Sequence, residues 1–173
     1  SWHRRAIAHI PGLSQSLVGR LGLPLPRLRQ GILAIGALSA RNDLAILVLA
    51  LALLDKAHLT ILGQGSERPR LERLARDLGI SKHVIFYNRF VELKELTEFI
   101  RAADVYVTPY LNAAQITSGT LAYAFGCGKA VVSTPYWHAE ELLADGRGVI
   151  VPFADSKALA REGFEPVVAR TAA

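Results

Sequence analysis

Thr117, Ser118, Gly119 and Thr120 stand together in the run LNAAQITSGTLAYAFGCGKAVVSTPYW, residues 111–137. They are small, three of them carry hydroxyls, and they fall where a loop gives way to a helix-like run. A helix start leaves backbone N–H groups unpaired and carries the positive end of the peptide dipole. Thr117 or Ser118 can cap it, and Gly119 lets a ligand come close to the backbone. At the carboxyl edge of a sheet, such a start suits an anion, and phosphate is the usual guest. A plain capped helix fits the same residues. Gly36, Gly63 and Gly65 do not assemble a GxGxxG fingerprint, which argues against nicotinamide or flavin. The five His and one Cys show no metal-ligand spacing, so a metal site is not expected.

These residues need a frame, and the chain alternates strand and helix signals from Gly31 onward. GILAIGALS, HLTILG, HVIFYNRF, DVYVTPY, KAVVSTPY and GVIVPF read as short apolar strands. NDLAILVLALALLDK, ERPRLERLARDLGI, ELKELTEFIRAA, SGTLAYAFGCG, AEELLADG and SKALAREGF read as helices between and after them. That rhythm predicts an α/β fold, a Rossmann-like parallel sheet with helices on both faces. Strands apolar along their whole length fit burial on both faces. Ligands of such sheets sit beyond the carboxyl ends of the strands, which draws attention to 36–43, 63–67, 87–92, 110–120, 134–141 and 152–155.

Composition narrows the class. The 173 residues are 51% hydrophobic, enough for one packed domain. A single Cys excludes an internal disulfide framework and suits a reducing, cytoplasmic setting. With no Met, Ser1 does not read as a natural start, and the chain is expected to be one domain of a longer protein. The net charge is +5, and five of the 20 basic residues, Arg4, Arg5, Arg20, Arg27 and Arg29, lie in residues 1–30, which hold no acid. The remaining 15 bases balance 15 acids, which argues against a nucleic-acid binder, whose folded part would show a basic face. Residues 1–30, with Pro11, Gly12, Gly19, Gly22, Pro24 and Pro26, read as a linker or entry segment ahead of a domain over 31–173. Their charge could touch an anionic membrane surface peripherally, or simply be solvated. The run LAILVLALALL at 44–54 is well short of the ~20 residues a spanning helix needs.

The stretch ADVYVTPYLNAAQITSGTLAYAFGCGKAVVSTPYWHAEELLADGRGVIVPF resembles the C-terminal, donor-binding half of retaining glycosyltransferases with two Rossmann-like domains (the GT-B fold), the group 1, family 4 class. ILGQGSERPRLERLARDLGISKHVIFYNRF and GALSARNDL are similar to the same half, so the likeness covers about residues 31–160. It implies a domain that binds a nucleoside-diphosphate sugar as donor substrate, without a further cofactor, and works in polysaccharide biosynthesis. It also implies a partner N-terminal Rossmann-like domain of the same protein that holds the acceptor. Without that domain the chain is expected to be inactive alone. Two other readings stand beside it: a sugar-nucleotide epimerase-like enzyme or phosphorylase, and a degenerate non-catalytic interaction module.

The resemblance also implies roles. The diphosphate would lie on the backbone of Thr117, Ser118, Gly119 and Thr120. The family places two Glu eight positions apart around this loop, and here those positions hold Gln115 and Tyr123. Gln115 can still bond sugar hydroxyls, whereas Tyr123 offers one hydroxyl where a carboxylate would meet the ribose. Gly36 belongs to the first-strand loop, where the family's phosphate-clamping Arg and Lys are replaced by Ala37 and Asn42, with Arg41 adjacent. Arg89 matches the region that contacts the base, or is a surface Arg. Gly65 suits a close backbone approach at the donor cleft, or a plain turn. Glu141 would open the helix after STPYW and hold a sugar or ribose hydroxyl, or favour the helix dipole. His138 could face the cleft, or cap and pack. No residue is assigned as catalytic.

Overall fold

The computed structural model describes residues 31–35, 38–54 and 57–166. The entry segment 1–30, Gly36 and Ala37 lie outside the described residues. Apolar runs of four or five residues form the strands β1 (Gly31–Ile35), β2 (His58–Leu62), β3 (Val84–Tyr87), β4 (Val105–Thr108) and β5 (Ala130–Ser133), with β6 (Val149–Ile150) shorter. Between them lie helices α1 (Leu44–Leu51), α2 (Arg68–Asp77), α3 (Leu93–Ala102), α4 (Gly119–Gly126) and α5 (Trp137–Leu142). After β6 comes α6 (Ser156–Ala158), which widens into a π-helical turn over Leu159–Phe164.

The sheet order is β3-β2-β1-β4-β5-β6, and every ladder is parallel. Chain order reverses between β1 and β4, which is the switch point where open α/β sheets bind ligands. Side chains alternate across the sheet. On one face Val105 and Val107 of β4 join Ile32, Leu59 and Ile61 under α1, α2 and the final helix. On the other, Tyr106 joins Leu62 and Val131 under α3, α4 and α5. Burial of both faces explains why the strands carry no polar alternation.

One helix is shorter than its apolar run suggests. The sequence predicts a helix over 42–56, but α1 ends at Leu51. Its last turn tightens: Leu53 N–H donates to Ala50 O at 3.0 Å and Leu54 N–H to Leu51 O at 3.0 Å. Those i to i−3 bonds satisfy carbonyls at a helix end. Leu53 is 53% exposed there, beyond the buried stripe of Leu44, Ile46, Leu47, Val48, Ala50 and Leu51. At the end of α4, Gly128 takes φ +66°, with its N–H on Phe125 O at 2.9 Å and that of Lys129 on Ala124 O at 3.1 Å. This paired closure needs a residue tolerant of positive φ.

The amino edge of the sheet is clasped by Asp104. Its Oδ2 accepts from Gly31 N–H at 2.8 Å, and its own N–H donates to Gly31 O at 2.8 Å. Burial pushes the carboxyl up to about 6, against opposing help from the Gly31 amide and Lys129. The folded state therefore keeps a proton that the unfolded chain has released, so this group's stabilising contribution is present at low pH and is lost as pH rises through about 6. From pH 4.5 to 7.5 the wild type is expected to lose on the order of 1–3 kcal/mol relative to Asp104→Asn. Urea unfolding of both chains at the two pH values checks this; equal pH slopes would refute it.

Candidate functional site: the start of α4

The carboxyl ends of β4 and β5 carry a band of hydroxyls that the strand reading passed over. Thr108 Oγ1 donates to Ser133 Oγ at 2.8 Å, and the Tyr136 hydroxyl donates to Thr108 Oγ1 at 3.1 Å. Thr134 Oγ1 donates to Tyr110 O at 2.6 Å. All four of these side chains are buried. Their visible signal was a hydroxyl residue at the carboxyl end of each strand, in VYVT and AVVST. Buried polar groups that are all bonded hold a unique arrangement, and this band fixes where the chain leaves the sheet.

The loop after β4 is then tied on both sides. Toward β1, Asp43 N–H donates to Pro109 O at 2.9 Å, Leu111 N–H donates to Arg41 O at 3.2 Å, and Asn42 and Tyr110 form an antiparallel bridge. This sets the exposed Arg41 beside the loop, at the switch point. Toward α5, Trp137 N–H donates to Ala113 O at 3.0 Å. Inside the loop, Asn112 Oδ1 accepts from Ala114 N–H at 3.1 Å and Gln115 Nε2 donates to Thr117 O at 2.8 Å. The Gln115 carbonyl remains as an acceptor.

Ser118, not Thr117, is the N-cap of α4. Its Oγ accepts from Leu121 N–H at 3.3 Å and lies 3.3 Å from the Tyr110 hydroxyl and 3.4 Å from Thr120 Oγ1. The Ser118 N–H donates to His138 Nδ1 at 2.9 Å. Gly119 and Thr120 supply the next two amides, and neither has a protein partner among the described residues. A Cβ built on Gly119 meets nothing within 4 Å among the described residues, and Gly119 is exposed, so the helix start opens to solvent. Tyr123 lies one turn further along, on the same side by its i+4 spacing, and is 47% exposed. Beneath the start sits the Tyr106 hydroxyl, fully buried, with Thr120 as a polar neighbour and no hydrogen bond among the described residues. Burial pushes the Tyr106 and Tyr136 hydroxyls up, so both stay protonated and able to donate.

The site thus gathers Gln115, Thr117, Ser118, Gly119, Thr120, Tyr123 and His138. Arg89 lies apart from this group, and Gly65 and Glu141 take local settings that differ from the expected ones. Arg89 follows the edge strand β3, three strand spacings or on the order of 14 Å from β4. Its guanidinium binds Glu95 at 2.6 Å and the Tyr87 hydroxyl at 2.9 Å. Gly65 does serve a close approach, but to the protein's own backbone: its Cβ would lie 2.1 Å from Leu38 O. Glu141 does not open its helix. α5 begins at Trp137, so Glu140 occupies the first turn and exposed Glu141 is the fifth residue. Gly36 lies outside the described residues. Among the described residues no group of three His, Cys, Asp or Glu could hold a metal ion, and no helix is long and apolar enough to cross a membrane.

Comparison with known proteins bears on the family and the fold. The family model described as glycosyl transferases group 1 matches residues 29–163. Over 173 residues the chain is 30% identical to the lipopolysaccharide core biosynthesis glycosyltransferase LpsE of Rhizobium meliloti (strain 1021), covering 97% of this chain and 49% of that relative. The chain thus spans about half the length of that curated protein. Among solved structures, Anabaena HepE in complex with UDP and glucose superposes with a TM-score of 0.77 at 21% identity, over 88% of this chain and 42% of that one. The C-terminal domain of a group 1 glycosyl transferase (LpcC) from Francisella tularensis superposes with a TM-score of 0.66 at 20% identity, over 76% of this chain and 72% of that one. These two structural likenesses establish the shared fold.

Proposed function

This chain belongs to the group 1 glycosyl transferases, and we propose that it is the half of a retaining sugar transferase that binds the nucleoside-diphosphate sugar. The observation that carries this reading is the pair of open amides at Gly119 and Thr120, on a helix start at the sheet's switch point. The diphosphate lies against these amides and the positive end of the α4 dipole. As the sugar departs, negative charge grows on the diphosphate, and preformed donors that need no reorganisation stabilise it. The Thr120 hydroxyl adds a donor, and the Gln115 side-chain carbonyl, without a partner among the described residues, accepts from a sugar hydroxyl. The acceptor belongs to a second domain of the same protein, a reading supported by the 49% coverage of LpsE. Orientation across that cleft supplies the remaining rate enhancement.

Isothermal titration of the 173-residue chain with the uridine, guanosine, adenosine and thymidine diphosphates tests the proposal. One of them is expected to bind with a Kd below about 1 mM, or ~4 kcal/mol. No heat with any of the four would sink the reading and favour a module without donor binding. That second reading has its own support in the first-strand loop: the position where the family carries a phosphate-clamping Lys holds Asn42, and its backbone bridges Tyr110.

A further inference from the structure

We propose that His138 is a positioning residue, a clamp on the start of α4 that acts through Nδ1 and keeps the Gly119 and Thr120 amides open as a pair. The nucleotide part of this inference rests on the donor-binding reading above.

The protein itself closes the donors on either side of that pair. Leu121 N–H goes to Ser118 Oγ, and Ser118 N–H goes to His138 Nδ1 at 2.9 Å. The two amides between them are left without a protein partner among the described residues. A backbone N–H can be accepted only by an unprotonated ring nitrogen, so the imidazole is neutral at Nδ1 and carries its proton on Nε2.

Beyond the ties of Pro109, Tyr110 and Leu111 to the β1 side, the loop before α4 is held by few contacts. Residues 111–114, 116 and 117 are exposed, with Ile116 at 72%, so apolar burial contributes little there. Polar tethers do the holding instead. The first two residues of α5 grip the loop at its two ends: Trp137 N–H on Ala113 O, and the His138 ring on Ser118 N–H. The second tether is a side chain, so it can be changed without touching the backbone. It also adjoins the first open amide.

Asparagine places an oxygen where histidine has Nδ1, and glutamine places its amide where histidine has Nε2. His138→Ala, His138→Asn and His138→Gln are therefore compared by amide hydrogen exchange at Ser118 and by titration with UDP, with thermal melts to confirm folding. In His138→Ala, Ser118 exchange is expected to quicken at least tenfold and UDP binding to weaken at least tenfold. His138→Asn should restore both to within threefold of wild type, and His138→Gln should restore neither. Unchanged Ser118 exchange in His138→Ala overturns the clamp, as does restoration by Gln but not Asn, which would assign the role to Nε2. The exchange arm needs no nucleotide. Lost protection in a chain whose wild type binds none of the four diphosphates would support the clamp and refute the donor-binding reading, so the two failures are distinguishable.

Discussion

Replacing Gly65 with alanine is expected to destabilise the chain by about 3 kcal/mol. The added Cβ would stand 2.1 Å from Leu38 O, 2.6 Å from its carbonyl carbon and 2.9 Å from its Cα. All three are backbone atoms, so no rotamer change relieves the clash. The loops after β1 and β2 must part. Their separation weakens two hydrogen bonds, Leu38 N–H to Gln64 O at 3.0 Å and Glu67 N–H to Leu38 O at 3.1 Å. Each contributes about 1 kcal/mol net, and overpacking of a tight contact adds about 1–3 kcal/mol. Leu38, 1% exposed, is drawn out of the core as well. For a domain of this size about 3 kcal/mol corresponds to a melting shift of roughly 6–12 °C. Gly126→Ala is the control: its Cβ meets nothing within 4 Å, and alanine favours the helix by about 0.5–1 kcal/mol. A Gly65→Ala chain within about 1 kcal/mol of wild type would refute the close approach.

The same residue shows what a sequence can and cannot disclose. Glycine in GQGS signals that something comes close, but residue type does not say whether that is a ligand or Leu38. Arg89 poses the same ambiguity: a cation near a predicted cleft reads as a ligand contact until Glu95 and Tyr87, six residues ahead and two behind, are seen to hold it. The alternating elements were legible because period and length are local properties. The end of α1 was not, because an unbroken apolar run carries no stop signal and the terminating turn is made of backbone bonds. The TSGT motif was legible because a cap, a glycine and a helix start are neighbours in sequence. The His138 tether was not: its partner Ser118 is twenty residues away, and the contact depends on α5 opening at Trp137, two residues before the apolar pattern of AEELL begins. The buried hydroxyl band was hidden for a related reason, since Thr108, Ser133 and Tyr136 meet only when β4 and β5 pair.

Gly119→Val is expected to weaken nucleoside-diphosphate binding at least tenfold while leaving the fold intact. The two halves of that outcome come from one observation, the empty space beside the Gly119 Cα. A Cβ there meets no atom within 4 Å among the described residues, and the residue's φ is not in the left-handed region, so valine is expected to enter without backbone strain. Gly loses more backbone freedom on folding than other residues, so the melting temperature should hold or rise slightly. An anion, however, must reach the Gly119 and Thr120 amides through that space. Two charge-assisted hydrogen bonds at about 1.5–3 kcal/mol each set the ceiling on the loss, and a tenfold change requires only about 1.4 kcal/mol of it. Titration of wild type and Gly119→Val with UDP, paired with thermal melts, separates the cases. Equal affinities would mean that the diphosphate does not approach the start of α4. Weakened binding together with a lowered melting temperature would mean that the space was occupied by the protein after all. Only weaker binding on an unperturbed fold fits an anion cradle built from free main-chain donors.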